Sequence, residues 1–213
     1  MITITRKVTL LPAPFVGIRI DLEVGEGLVY GIRTLALADG SADVTIDWGD
    51  GTVETLAKVT AKKHTYPAPG AYTVTVSDDV KAFTISTSDT SPEFPQRYAP
   101  LVKRVTIRSD KAEVIGAFCF NGCVNMESLD LRGAHILRFL GGAARNCTSL
   151  RGRVDLPHVT EISGTGNAAP FANCAALAEL HFGAANRAVI EASAPYGDTP
   201  PFGAANAVIK FDL

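Results

Sequence analysis

The chain reads as mainly β, with a strand-rich first part followed by a short array of stacked repeats. Three observations carry this reading. Residues 1–87 alternate apolar and polar side chains with a period of two, and from Lys103 onward one pattern recurs four times. Between them lies a stretch of prolines and small polar residues. Its 213 residues, 46% of them hydrophobic, hold one large domain or two small ones.

In the first part, Val16, Ile18, Ile20, Leu22 and Val24 alternate with Gly17, Arg19, Asp21 and Glu23, the signature of a half-buried strand. Val44, Ile46 and Trp48 alternate in the same way with Asp43, Thr45 and Asp47, and Tyr72, Val74 and Val76 with Thr73 and Thr75. Further strands are expected at 2–10, 30–37, 52–56 and 80–87, which makes seven. Seven strands parted by turn residues, with no helical pattern, predict an immunoglobulin-type β-sandwich over residues 1–88.

Within it, Trp48-Gly-Asp50-Gly51-Thr52 supplies a tight turn, because Asp-Gly tolerates positive φ. His64-Thr-Tyr66 and Pro69-Gly-Ala-Tyr72-Thr-Val-Thr-Val76 follow. The three motifs together resemble the PKD (polycystic kidney disease) domain pattern, Trp-Asp-Phe-Gly-Asp-Gly-Thr, His-x-Tyr and Pro-Gly-x-Tyr-x-Val. Ile46 stands where that family usually has Trp, and Trp48 where it has Phe.

Residues 89–102 contain Pro92, Pro95 and Pro100, which forbid a helix and predict an extended linker between two domains. The repeats occupy 103–213. Their strand-like openings are Val105-Thr-Ile107, Leu129-Asp-Leu131, Val154-Asp-Leu156, Leu180-His-Phe182 and Ile209-Lys-Phe211, spaced by 24, 25, 26 and 29 residues. That period belongs to leucine-rich repeats rather than to helical-pair repeats. Each copy is too small to bury its own apolar side, so neighbours must stack around a shared core.

Each opening leads on to a second apolar cluster and then to Phe120-x-x-Cys123-x-x-Met126, Ala144-x-x-Cys147-x-x-Leu150, Phe171-x-x-Cys174-x-x-Leu177 or the looser Phe202-x-x-Ala205-x-x-Val208. These closely resemble the Phe-x-x-Cys-x-x-Leu core of BspA-like leucine-rich repeats, found mainly on bacterial and protozoan surfaces. The resemblance covers about half of the chain. A Pro-rich stretch at 194–203 accounts for the extra length of the fourth copy and is expected to form a surface loop.

Composition removes several functional classes. A net charge of −2 without long charged runs gives no general attraction to nucleic acid. No apolar run reaches the ~18 residues of a membrane-spanning helix, so no membrane insertion is expected. The first residues lack the pattern of a signal peptide.

Candidate chemistry is sparse. Cys123, Cys147 and Cys174 occupy one equivalent position per repeat and, with Cys119, are expected as buried thiols. Adjacent coils packed as helices stand ~8–10 Å apart, too far for a cross-repeat disulfide, and no Cys-x₂-Cys pair suggests zinc. His135, His158 and His181 sit 6, 4 and 1 residues from their strand openings and are not expected to line up as a metal ladder. Asp47 and Asp50 are read as turn formers, with a calcium site as the competing reading. No Gly-x-Ser-x-Gly elbow or complete dinucleotide fingerprint is present, so neither catalytic residues nor a cofactor is expected.

Function is therefore expected on the outside of the repeats. The middle residues of the triplets, Thr106, Asp130, Asp155, His181 and Lys210, should face solvent as one column, with Tyr196 and Phe202 nearby as anchors. The joint resemblance implies a non-enzymatic adhesion protein of a bacterial surface that binds a protein or glycan partner. Two alternatives are a carbohydrate-binding accessory, for which Tyr196, Phe139 and Phe202 are the candidate aromatic platforms, and a phage-like structural or receptor-binding component.

Overall fold

The computed structural model describes residues 15–57, 59–85 and 96–213. The strand expected at 2–10 and the first part of the expected linker lie outside the described residues. Elsewhere the first part forms β1 (Gly17–Val24), β2 (Val29–Leu37), β3 (Val44–Asp47), β4 (Val53–Leu56), β5 (Val59–Thr65), β6 (Gly70–Val76) and β7 (Val80–Thr84). In β1 the alternation places Ile18, Ile20, Leu22 and Val24 in the core and exposes Arg19 and Glu23. β5 was not among the expected strands, because Lys62, Lys63 and His64 interrupt any apolar alternation. It lies at a sheet edge, where lysines discourage further pairing.

The repeats contribute β8 (Val102–Ser109), β9 (Val114–Ile115), β10 (Ser128–Ala134), β11 (Arg138–Phe139), β12 (Gly152–Leu156), β13 (Glu161–Ile162), β14 (Leu177–Phe182) and β15 (Val208–Phe211). A five-residue helix, α1 (Arg187–Glu191), lies in the last copy. The fold is mainly β, and no described helix is long and apolar enough to cross a membrane.

The sheets cross the expected domain boundary. One runs β10-β8-β1-β6-β3-β4 and a second β13-β11-β9-β7-β2-β5, while β12-β14-β15 forms a third. β1 pairs antiparallel with β8, with Ile18 opposite Ile107, and β7 pairs parallel with β9, with Phe83 opposite Ile115. Both six-stranded sheets thus contain strands from both parts, and their buried residues form one core cluster. Residues 96–101 of the expected linker form a 3₁₀ turn that buries Tyr98 and Ala99, and Val102 already belongs to β8. The extended linker between separate domains is corrected accordingly. A strand-rich unit and a repeat array each have open edges, and joining them edge to edge satisfies backbone groups that composition does not reveal.

Inside the repeats, coils meet at backbone hydrogen-bond distance rather than at the spacing of packed helices. Phe120 N–H donates to Ala143 O (2.7 Å), Gly122 N–H to Arg145 O (3.0 Å) and Asn146 N–H to Ala172 O (2.8 Å). The 8–10 Å premise used above for the cysteines fails for this reason. Phe120, Ala144, Phe171 and Phe202 occupy equivalent buried positions. Phe139 stacks on Phe171 with centroids 5.1 Å apart. The Pro-rich stretch at 194–203 forms two 3₁₀ turns, Ala194–Gly197 and Pro201–Gly203, that bury Pro195 and Phe202, so it is not a loop lying wholly on the surface.

Candidate interaction face

The strand registers place the expected column in a row. Thr106 stands opposite Asp130, and His181 lies between Asp155 and Lys210. The row has one break, because β10 ends the first sheet and β12 begins the third. Arg151 N–H donates to Glu127 O (3.3 Å) just before the two strands separate. Both are irregular there: β10 shifts register between Asp130 and Gly133, and β12 between Gly152 and Arg153, where Gly152 has φ +74°. A side chain at Gly152 would be strained in that left-handed conformation. Such irregularities end pairing and redirect side chains. A cleft of about 240 Å³ lies here, lined by Ser128, Leu129, Asp130, Arg132, Arg153 and Asp155.

The column is less exposed than alternation predicts. Asp155 is 5% exposed and His181 2%, so these two are corrected from surface to buried positions. Their neighbours two residues along the same face close over them. Arg153 donates to Asp155 from Nε (2.5 Å) and Nη2 (3.0 Å). His181 faces Glu179 through Nε2 (2.8 Å) and Asp212 through Nδ1 (2.6 Å), and Lys210 Nζ donates to Glu179 (2.6 Å). Asp130 accepts from Arg132 Nε (2.9 Å) and Nη2 (2.8 Å) and from Arg108 Nη2 (2.7 Å).

Electrostatics follow the contacts. The Arg132 hydrogen bonds, reinforced by Arg108 against the cost of partial burial, hold the Asp130 carboxyl well below the usual carboxylate range. Lys210, then His181, bring Glu179 down to about 2. Sequence reasoning missed Arg108, Arg132, Arg153, Glu179 and Asp212. The signal was present: Asp130-x-Arg132, Arg153-x-Asp155 and Lys210-x-Asp212 each pair opposite charges at the same-face spacing of a strand, and Glu179-x-His181 sets an acid and an imidazole at that spacing.

The expected aromatic anchors are not at this face. Phe202 is fully buried against Phe182, and Tyr196 is half-buried against Phe202 and Phe211. Phe139 is fully buried as well. Among the described residues no Phe, Tyr or Trp is exposed.

Around Trp48, polar groups are engaged with one another. Trp48 is buried and stacks on His64 (4.9 Å), His64 Nε2 meets Asp50 Oδ2 (2.7 Å), and Tyr66 donates to Trp48 O (3.1 Å). Asp47 accepts from Gly49 N–H (2.9 Å) and Asp50 from Thr52 N–H (3.0 Å), which are turn contacts. Among the described residues no group of three or more His, Cys, Asp or Glu side chains is arranged to hold a metal.

All four cysteines are buried. Cys147 donates to Phe120 O (3.2 Å) and Cys174 to Ala144 O (2.9 Å), so each thiol ties its coil to the preceding one. Burial pushes the Cys119 and Cys147 thiols up, and contact with Cys147 followed by burial does so for Cys174. Beside them Asn173 donates to Asn146 (2.8 Å) and Asn146 to Asn121 (3.2 Å), a second ladder. The histidine expectation also needs correction, since the His135 and His158 rings lie 4.8 Å apart. Counted back from the next buried residue, Ile136 or Val159, both occupy the same position, which counting from the strand opening does not show. His181 lies apart, between Glu179 and Asp212.

Compared with family models, curated proteins and solved structures, the chain matches none.

Proposed function

We propose that this chain is a non-enzymatic binding protein of a bacterial surface. In this reading the repeats are BspA-like leucine-rich repeats, the first part is a PKD-like sandwich of immunoglobulin type, and the partner docks on the outer face of β8, β10, β12, β14 and β15. The observation that carries the reading is the contrast in how polar side chains are used. Asp47, Asp50 and His64 are taken up by turn and packing contacts, whereas the outer face carries charged groups beside an open cleft. The sheet pairing between the two parts gives that face a rigid support, as recognition by a preformed surface requires.

A protein partner is favoured over a glycan. Sugar platforms need exposed aromatic rings, and Phe139 and Phe202 are core residues while Tyr196 is half-buried. The test is retention of surface proteins by immobilised wild type and by an Arg132→Ala, Lys210→Ala variant of unchanged melting temperature, with a glycan array alongside. Specific retention by the wild type and its loss in the variant is the expected result. Equal retention by both, or selective glycan binding, overturns the proposal.

A further inference from the structure

We propose that the cleft between β10 and β12 recognises carboxylates of an acidic, extended polypeptide segment, with Arg132 and Arg153 as the two contact groups. This rests on the outer repeat face being the binding surface and adds the chemistry of the partner.

Charge is layered at this cleft. Arg132 has a side chain 67% exposed over Asp130 at 17%, and Arg153 is 45% exposed over Asp155 at 5%. The carboxylates are therefore sunk and the guanidiniums stand outermost. Arg108 adds a second cation on Asp130, so the two carboxylates of the cleft serve three guanidiniums. At the cleft itself the cations stand outermost, while Glu179 and Asp212 lie beyond Arg153 on the same face.

Arg132 and Arg153 each spend Nε and Nη2 on the aspartate beneath. A guanidinium carries five N–H donors in a planar fork, so the edge formed by Nη1 and the second Nη2 hydrogen remains for another planar acceptor. A carboxylate fits that edge with two parallel hydrogen bonds. The aspartates also fix the long arginine side chains in advance, which lowers the entropy lost on binding. Where β10 and β12 part, the cleft of about 240 Å³ gives an acidic side chain room between the two forks. A polyphosphate chain fits less well, because the sunken Asp130 and Asp155 repel a dense row of phosphates, while a peptide spaces its carboxylates and brings N–H groups of its own.

The probe is a twelve-residue peptide alternating Glu with Ser, compared with the same peptide carrying Gln for Glu, one carrying Lys for Glu, and a single-stranded oligonucleotide of equal charge. Binding is followed by fluorescence anisotropy at two salt concentrations. The Glu peptide is expected to bind at least about tenfold more tightly than the Gln peptide, in line with a charge-assisted hydrogen-bonded pair, and to weaken with salt. Arg132→Gln should lower that affinity about tenfold. Arg132 is exposed, and Asp130 keeps Arg108 as a partner, so the variant remains folded. Arg153→Lys keeps the charge over Asp155 but removes the second fork, and should also bind the Glu peptide more weakly. Equal affinity for the Glu and Gln peptides, tighter binding of the Lys peptide or the oligonucleotide, or no effect of either substitution overturns the proposal. A surface protein lost from the Arg132→Ala, Lys210→Ala variant but lacking any acidic stretch would overturn the carboxylate chemistry and leave the binding face standing.

Discussion

The knot around Trp48 and the outer face of the repeats are both rich in polar residues, yet they use them oppositely. In the knot, His64 stacks on Trp48 and meets Asp50, Tyr66 bonds the Trp48 carbonyl, and both aspartates hold turn N–H groups. On the outer face, acids hold bases whose side chains stay exposed. A dense sequence signature can thus mark a structural knot, while the outer face proposed for recognition carries charge pairs within and between strands. The inner ladders of Cys147, Cys174, Asn146 and Asn173 belong with the knot.

The largest expected effect breaks the inner ladder. Cys174→Arg places a charge in a site 1% exposed, where the thiol touches Ala144 O. An unpaired buried charge costs more than a typical domain can spare, ~4 kcal/mol or above, so far-UV circular dichroism should lose its cooperative transition at room temperature. In the native wild type, Cys147 and Cys174 should resist a thiol reagent until denaturant is added. Rapid labelling of both would remove the buried ladder.

A smaller effect tests whether the two parts behave as one. Ile107 is fully buried in β8 opposite Ile18 of β1, and Ile107→Ala should cost about 2–5 kcal/mol. Trp48 is the only tryptophan and lies in the first part, so its fluorescence reports that part alone. The substitution, made in the repeats, should lower the fluorescence and circular dichroism midpoints together. Separate midpoints would restore two independent domains and the boundary at 89–102.

Much of the fold was legible because alternation and repetition are local. β1, β3 and β6 follow from period two, and the register of Asp155, His181 and Lys210 follows from the repeat. The pairing of β1 with β8 was not legible, since one apolar strand reads alike whether its neighbour is near or far in sequence. The site was half legible. Alternation found which residues face outward, but depth depends on neighbours two positions away, as Arg153 over Asp155 illustrates. Phe202 was misplaced because a Pro-rich segment resembles a loop even when it packs an aromatic ring inward.

Acid acts on both regions, since against the cost of burial the bonds to His64 and Thr52 also hold the Asp50 carboxyl of the knot below its ordinary value. The folded pKa values of Asp130 and Glu179 are depressed, so their contributions are present above the ordinary carboxylate range and are lost as pH falls through the folded values, about 2 for Glu179. The urea midpoint should fall between pH 5 and pH 2.5. Asp130→Asn should be less stable than wild type at pH 7, by about 1 kcal/mol after allowance for solvent screening, and should converge with it as the pH falls. A variant that stays equally far below wild type down to pH 2.5 would show that Asp130 acts through packing rather than charge.

The smallest effects compare two ion pairs of the same shape. Arg138 grips Glu161 through Nε (2.7 Å) and Nη2 (2.9 Å) on the second sheet, much as Arg153 grips Asp155 on the outer face. They differ in depth: Glu161 is 51% exposed and Asp155 5%. Solvent screens the first pair, so a double-mutant cycle with Arg138→Gln and Glu161→Gln should give a small coupling that vanishes in high salt. For Arg153→Gln and Asp155→Asn the coupling should be larger and persist in salt, because the sunken carboxylate has little water to turn to. Equal couplings would mean that depth does not set the strength of these pairs, and the sunken aspartates would lose their role of holding the outer guanidiniums in place.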